Sequence, residues 1–418
     1  MKKWLSLLLA AVLLIMTCSG CGSDDFDFSR FEEDSPEFTT HSRVTLPTMP
    51  SYSHETQATT TRSSATRYTY PQYTTRQTTT RYTTPTTTRT TQPTVSYPKF
   101  SSLTALRDHM TAKKEADILQ FTFEYTGATL TPRTVAQMTN ACLVNLKRNG
   151  TVYTATLTEY PGDHIVDAYF SGDSSKLTAD ERTVMNKALQ MVNQAKAQAS
   201  NTFELEVLLH DMLCETITYY DGNRDFTDAN NIPRNLTVIG ALLDGKANCQ
   251  GYTDAFYTLA SIAGFKVSRM STYSPDDLHM VNTIYLNNAW HVVDVTFDDT
   301  NDDERNYRLF NAGVDVIREY TWDIEKETHP IARTSGTAYY YYYTNSAYTS
   351  MQTMVDTMVK EWSQNGKTTL RAMLKNNTDG DAFNAALKSA LDKTGKRYQY
   401  QYRYYQNGRD TFYTVKFK

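Results

Sequence analysis

The sequence predicts an α+β fold, and three patterns carry that reading. After Cys249 the apolar residues Tyr252, Phe256, Leu259, Ala260 and Ala263 recur every three or four positions, the period of an amphipathic helix, and Gly264 stops it. Downstream, His279 to Leu286 and Ala289 to Thr296 read as two strands joined by Asn287-Asn288, a pair that accepts the positive φ of a two-residue hairpin turn. On either side of this centre, helices and strands follow one another in the same order in two regions, which points to one small module present twice.

Taken in order, the chain opens with a targeting segment. Lys2 and Lys3 precede the apolar run Leu5 to Met16, which is too short for a good membrane span, so residues 1–20 read as a signal peptide. The run ends in Cys18-Ser19-Gly20-Cys21, where small residues directly before a cysteine resemble a lipoprotein signal. Cys21 is then expected to be the lipidated first residue of the mature chain. Residues 21–98 are expected to form a disordered stalk, because Thr39 to Pro98 is dominated by Thr with Pro, Gln and Tyr and has too little aliphatic content for a core. Arg62, Arg67, Arg76, Arg81 and Arg89 read either as charges that only keep it solvated or as a binding series for anionic wall polymers, and fully stretched it reaches on the order of 200 Å.

Residues 99–175 read as a first α/β module. Its elements are a helix Leu103 to Lys113, a strand Ile118 to Tyr125, a helix Pro132 to Asn145, and strands Val152 to Glu159 and His164 to Phe170 about Pro161-Gly162-Asp163. Residues 336–418 repeat that order with a helix Met351 to Trp362, a strand Thr368 to Leu374, a helix Ala382 to Leu391, and strands Tyr398 to Tyr405 and Thr411 to Phe417 about Gln406-Asn407-Gly408. Between them, residues 176–335 form the core, which opens with a helix Thr178 to Ala199 begun by the capping box Thr178-Ala179-Asp180-Glu181. The run Tyr339 to Tyr343 reads as a linker or half-buried strand entering the last module.

The chemistry lies in the core. Cys249 opens its helix, where unpaired N–H groups and the positive end of the dipole favour a thiolate, the nucleophilic form. With Leu286 opposite Ala289, Val281 falls opposite Asp294 and His279 opposite Thr296. His279 and Asp294 are then diagonal neighbours roughly 7 Å apart at Cβ, within reach of an imidazole-to-carboxylate hydrogen bond. A cysteine, a base beside it and a carboxylate that orients the base are the parts of a base-activated nucleophile. His291 points to the other face and reads as structural. The backbone N–H of Cys249 is a candidate oxyanion donor, and Tyr220 is a candidate beside it.

Together, Gly245-x-x-x-Cys249-Gln250-Gly251-Tyr252, His279, and Trp290-His291-Val292-Val293-Asp294-Val295-Thr296-Phe297-Asp298-Asp299 resemble the transglutaminase-like core of bacterial secreted proteins. The resemblance runs from about Phe203 to Pro330 and takes in His210-Asp211 and Ile217-Thr218-Tyr219-Tyr220-Asp221 upstream. It implies a papain-like fold, a cysteine-bearing helix packed on an antiparallel sheet, with Cys249 as nucleophile, His279 as base and Asp294 as orienting acid. Where the family usually has His-Ala-Trp-Asn, this chain has His279-Met280-Val281-Asn282. The missing aromatic is expected to lower the cleft wall beside the base and to favour water over an amine as acyl acceptor.

Other classes are set aside on composition. A net charge of −4 over 418 residues argues against a nucleic-acid partner. The mature chain expected to begin at Cys21 has no Cys-x-x-Cys and no His-Glu-x-x-His, which argues against zinc, and no cofactor is expected. The acidic run Asp298 to Glu304 reads as a solvated loop; it fails as a calcium loop, since a frame from Asp299 puts Glu304 at the glycine position and Phe310 at the bidentate glutamate. Cys142 and Cys214 lie in apolar helical stretches and read as buried thiols, with a disulfide as the alternative in an oxidising compartment. The functional reading is a surface cysteine enzyme tethered to the membrane through Cys21. It acts on peptide or protein amides, cell-wall peptides among them, through a thioester resolved by water or by an amine. The alternative is a non-catalytic surface or wall-binding module that keeps the fold.

Overall fold

The computed structural model describes residues 96–222, 227–273, 278–299, 305–317, 321–322, 331–377, 382–407 and 409–418. The signal segment, Cys21, nearly all of the stalk and residues 300–304 of the acidic run lie outside them. Among the described residues no helix is long and apolar enough to cross a membrane.

The N-terminal module alternates β1 (Lys99–Phe100), a helix Leu103–Glu115, β2 (Gln120–Tyr125), a helix Pro132–Thr139, β3 (Leu143–Asn149) and β4 (Val152–Thr158). Its sheet runs β1-β2-β4-β3, with β1 parallel to β2 and the other pairs antiparallel. Alternate residues Phe121, Phe123, Tyr153, Ala155 and Leu157 turn inward under Leu106 and Met110 of the first helix, as the two-residue period of a half-covered sheet requires.

Two expectations fail here. The helix expected to run to Asn145 stops at Thr139, because Asn140 takes the left-handed conformation, φ 49°, that caps a helix, and the apolar residues after it continue as β3. Cys142 therefore sits in a connection rather than in a helix. The strand expected over His164 to Phe170 is a helix, Pro161–Ser171, with Pro at its first position, Asp163 in its first turn and Gly172 as a left-handed cap. Alternation in His164-Ile165-Val166 is too short to outweigh those end signals. The helix packs not on the module but on the core, where Ile165 joins the main apolar cluster.

At the far end, β12 (Ala347–Tyr348), a helix Met351–Asn365, β13 (Thr369–Leu374), a helix Ala382–Asp392, β14 (Tyr400–Asn407) and β15 (Asp410–Phe417) form a sheet ordered β12-β13-β15-β14. Its pairing senses match those of the first module strand for strand. The turn equivalent to the one at Asn407 is thus Asn149-Gly150, not Pro161-Gly162-Asp163.

The central sheet runs β10 (Phe310–Ala312), β9 (Ala289–Val293), β8 (Leu278–Leu286), β7 (Val267–Tyr273), β11 (Thr321–Trp322), all antiparallel. The helix Cys249–Ala263 lies on it, and Phe256, Leu259 and Ala260 share a core with Ile284 and Val293 of the sheet and with Leu209 and Leu213 of the helix Thr202–Thr216. Full burial of Phe256 or Leu259 contributes about 1.5–3 kcal/mol each. Leu286 pairs with Ala289 across Asn287 and Asn288, whose φ values of 51° and 63° give the expected tight turn. The helix Ala179–Gln198 starts at the Thr178 capping box, with both reciprocal hydrogen bonds made. The tyrosine run is neither strand nor linker: Tyr340–Tyr343 is one helical turn, with Tyr339 and Tyr341 fully buried, Tyr343 stacked on Phe203 at 3.7 Å and Tyr340 on Tyr307 at 3.9 Å.

One buried ion cluster ties the Pro161–Ser171 helix to the Cys249 helix. Arg269 of β7 reaches Asp163 at 2.8 Å and Asp254 at 2.6 Å, between the rings of Tyr160 and Tyr257. Arg269→Met leaves the fully buried Asp254 without its counter-charge and Asp163 with Lys114 alone, 3.6 Å away, and is expected to cost about 3–5 kcal/mol. Urea denaturation of the full chain measures it, and a loss under about 1 kcal/mol would show that the cluster holds nothing together.

Candidate active site

Asn248 caps the central helix, its side-chain oxygen accepting the N–H groups of Gln250 at 3.0 Å and Gly251 at 3.3 Å. The cap does not take the N–H of Cys249, which occupies the first helical position. The backbone at Gly251 passes so close to Asn235 O that an added Cβ would sit 2.6 Å from it, so only glycine lets β6 (Lys246–Ala247), the parallel partner of β5 (Thr218–Tyr219), and the segment Arg234–Leu236 pack under the start of the helix. The side chain of Gln250 turns away and donates to Cys142 O at 3.1 Å.

His279 is the second residue of β8. Its Nε2 lies 2.7 Å from Asp294 Oδ2, and Cys249 is a further hydrogen-bond partner of the ring. Since Nε2 belongs to Asp294, the nitrogen left for Cys249 is Nδ1. Burial works against the imidazolium, but the charge and hydrogen bond of Asp294, with a hydrogen bond to Cys249, outweigh it and raise the pKa to about 10.

Asp294 does not reach His279 as the expected hairpin neighbour. The strand expected to run to Thr296 ends at Val293, and Asp294 caps a helical turn, Val295–Asp298. A carboxylate is a strong helix cap, and here Oδ1 accepts the Phe297 N–H at 3.1 Å while Oδ2 holds His279. At 1 % exposure Asp294 needs both partners. The turn is held from beneath: Asp298, fully buried, accepts the Leu309 N–H at 3.1 Å and lies 3.5 Å from His210 Nε2, while the Tyr252 hydroxyl donates to Asp299.

Val281 does not line the cleft. It is 1 % exposed and packed with Met270, Val292 and Leu309, so its small size lowers no wall. The aromatic beside the base is Phe297, stacked on the imidazole at 4.3 Å with 13° between planes and 42 % exposed. Asp at the start of Asp294-Val295-Thr296-Phe297 is the helix-cap signal from which this turn could have been read. Tyr220 is not brought to the pair among the described contacts: its N–H donates to Ala247 O at 2.8 Å, and its ring lies by Lys246 and over Gly222. His291 is buried and its pKa is lowered by that burial. Cys142 and Cys214 are both free, the first beside Gln250 and Tyr160, the second 3.9 Å from His210 Nδ1, and burial raises the pKa of each. Among the described residues no cluster of His, Cys, Asp and Glu is fit to hold a metal ion.

Residues 189–295, which contain Cys249, His279 and Asp294, match the family model of the transglutaminase-like superfamily. Two solved structures are similar. One is a transglutaminase, 16 % identical, covering 44 % of this chain and 53 % of its own, with a TM-score of 0.25. The other is a candidate cysteine protease of Cytophaga hutchinsonii, 10 % identical, covering 37 % of this chain and 61 % of its own, with a TM-score of 0.23. The match thus spans little more than half the length of either. No curated protein matches.

The raised pKa of His279 makes a signed prediction. A group raised from about 6.5 to about 10 adds stability that is complete below the lower value and is lost as pH rises through the upper one. The difference in urea stability between the wild type and Asp294→Asn should therefore shrink from pH 6.5 to 10, and the His279 ring should titrate at lower pH in the variant by NMR. An unmoved titration would separate the two residues.

Proposed function

We propose that this is a lipid-anchored, extracytoplasmic cysteine enzyme that transfers the acyl group of a peptide or protein amide through a thioester on Cys249. The observation that carries the reading is the continuous contact from a helix-start cysteine through His279 to a carboxylate buried at 2.7 Å. The family match supports acyl transfer or peptide cleavage as the chemistry. The lipid anchor rests on Cys21 and the sequence before it alone, and cell-wall peptides are the proposed substrates because the anchor and stalk would carry the domain to them.

Each group has one task. With a pKa of about 10, His279 holds its proton at neutral pH, and it does so as a hydrogen-bond partner of Cys249, the first residue of its helix. The sulfur attacks the amide carbon, a C–S bond forms, and the carbonyl electron pair moves onto oxygen, where the Cys249 N–H is the donor in place. The oxyanion collapses, the C–N bond breaks, and the leaving amine takes the proton from His279 Nδ1. Water or a second amine then attacks the thioester as His279 accepts its proton, and the thiolate is restored. Asp294 fixes the ring and its tautomer throughout. Phe297 covers one face of the imidazole, so the shielding that Val281 does not provide comes from the next turn.

Three results are expected. Iodoacetamide at pH 7 labels the chain rapidly, and Cys249→Ala abolishes that labelling while Cys142→Ala and Cys214→Ala do not. Asp294→Asn lowers turnover of a Gln-containing peptide by roughly 10²–10⁴. Turnover also declines as pH rises through about 10, because the acid that protonates the leaving amine is lost. Mass spectrometry with and without excess primary amine reads the products. Absence of any product over many peptides, with Cys249 unreactive, would leave a surface-binding module that only keeps the fold.

A further inference from the structure

The N-terminal module, outside the matched residues 189–295, touches the residues that flank the reacting pair. Gln250, next to Cys249, donates to Cys142 O at 3.1 Å. Met280, next to His279, has its sulfur 3.4 Å from the Tyr160 hydroxyl, and both Met280 and Leu143 pack on the cluster of Cys142, Tyr160 and Ile232. The Cys142 N–H already bonds back to Thr158 O, so the β3 ladder begins beside Gln250 and Met280, the neighbours of the reacting pair.

From there β3 runs outward as the last strand of its sheet. In the order β1-β2-β4-β3 it pairs with β4 alone among the described residues, and Asn145, Lys147, Arg148 and Asn149 are exposed along it. An open edge offers its main-chain N–H and C=O groups to another extended chain. Successive strand residues point to opposite faces, so Lys147 and Arg148 bracket that edge, and neither forms an ion pair among the described residues. They lie four and five residues beyond Leu143, about 13–17 Å at roughly 3.3 Å per residue.

We propose that the N-terminal module docks the substrate: an extended peptide adds to the open edge of β3, its acidic residues meet Lys147 and Arg148, and its reactive amide reaches Cys249. This rests on the function proposed above and names its substrate class, a peptide with acidic residues about four to six positions to one side of the reacting residue. The same two cations could instead only keep the edge from pairing, which predicts no acidic preference.

Binding tests this apart from turnover. The full chain carrying Cys249→Ala is titrated, by fluorescence anisotropy, with labelled peptides that share a central Gln and carry a Glu pair or a Lys pair five residues to either side. The Glu peptide of one polarity should bind about fivefold or more tighter than its Lys counterpart, the size two exposed ion pairs give, and Lys147→Glu with Arg148→Glu should reverse the order. N-methylation of alternate peptide amides along the acidic arm should weaken binding further, since it removes main-chain hydrogen bonds and leaves charge untouched. Equal binding of all peptides, or a preference that the double variant does not move, overturns the docking edge. A charge preference unaffected by N-methylation overturns strand addition. Docking with no turnover by the wild type would instead count against the enzyme reading alone.

Discussion

A buried carboxylate must have its lone pairs met, and Asp294 meets them by ending a strand. One oxygen closes the helical turn at Phe297 and the other holds His279 at 2.7 Å, so a single side chain sets both the end of β9 and the orientation of the base. The rest of the site follows from that position. The turn brings Phe297 onto the imidazole, and Asp298 and Asp299 tie the same turn to His210 on one helix and to Tyr252 on the helix that begins with Cys249. Nucleophile and base come from different elements, yet both are referred to the same four-residue turn. That arrangement explains why two acidic residues follow Asp294 so closely: they are anchors under the turn, and not a solvated or calcium-binding run at its start.

The packing around the pair is divided between layers. Val281 and its neighbours form an apolar layer shared with Tyr339, Tyr341 and Phe412, which fixes the C-terminal module against the core. On the helix side, Arg269 with Asp163 and Asp254 joins the Pro161–Ser171 helix to the central helix. Buried ions of this kind are weak evidence for added stability but strong evidence for a fixed geometry, since neither partner tolerates loss of the other.

Much of this was legible in the sequence, for physical reasons that also mark where legibility stopped. The Cys249 helix has a long apolar period and a glycine stop, and the hairpin has Asn-Asn, so both were readable with their register to the residue at Leu286 and Ala289. Short elements were not. Asp294 could be read as strand or cap, and alternation over two residues hid the cap; the same ambiguity made a strand of Pro161–Ser171, whose proline start and glycine end outweigh its local pattern. Tertiary burial was invisible as well. Val281 looked like a cleft residue because it follows His279 by two, yet at that position an apolar cluster with Met270, Val292 and Leu309 already covers it. Gln250 and Met280 gave no signal either, since what they touch lies over a hundred residues earlier in the chain.

The central claim is that acyl groups pass through the sulfur of Cys249, set up by the buried His279–Asp294 bond. The most direct measurement is rapid mixing of the full chain with a reactive ester of a Gln-containing peptide, acid quenching, and peptide mapping by mass spectrometry. The account predicts an acyl adduct on the fragment bearing Cys249, formed and consumed within turnover, and slowed in its formation by Asp294→Asn. Turnover with no adduct at Cys249, or with the acyl group on another residue, would contradict it.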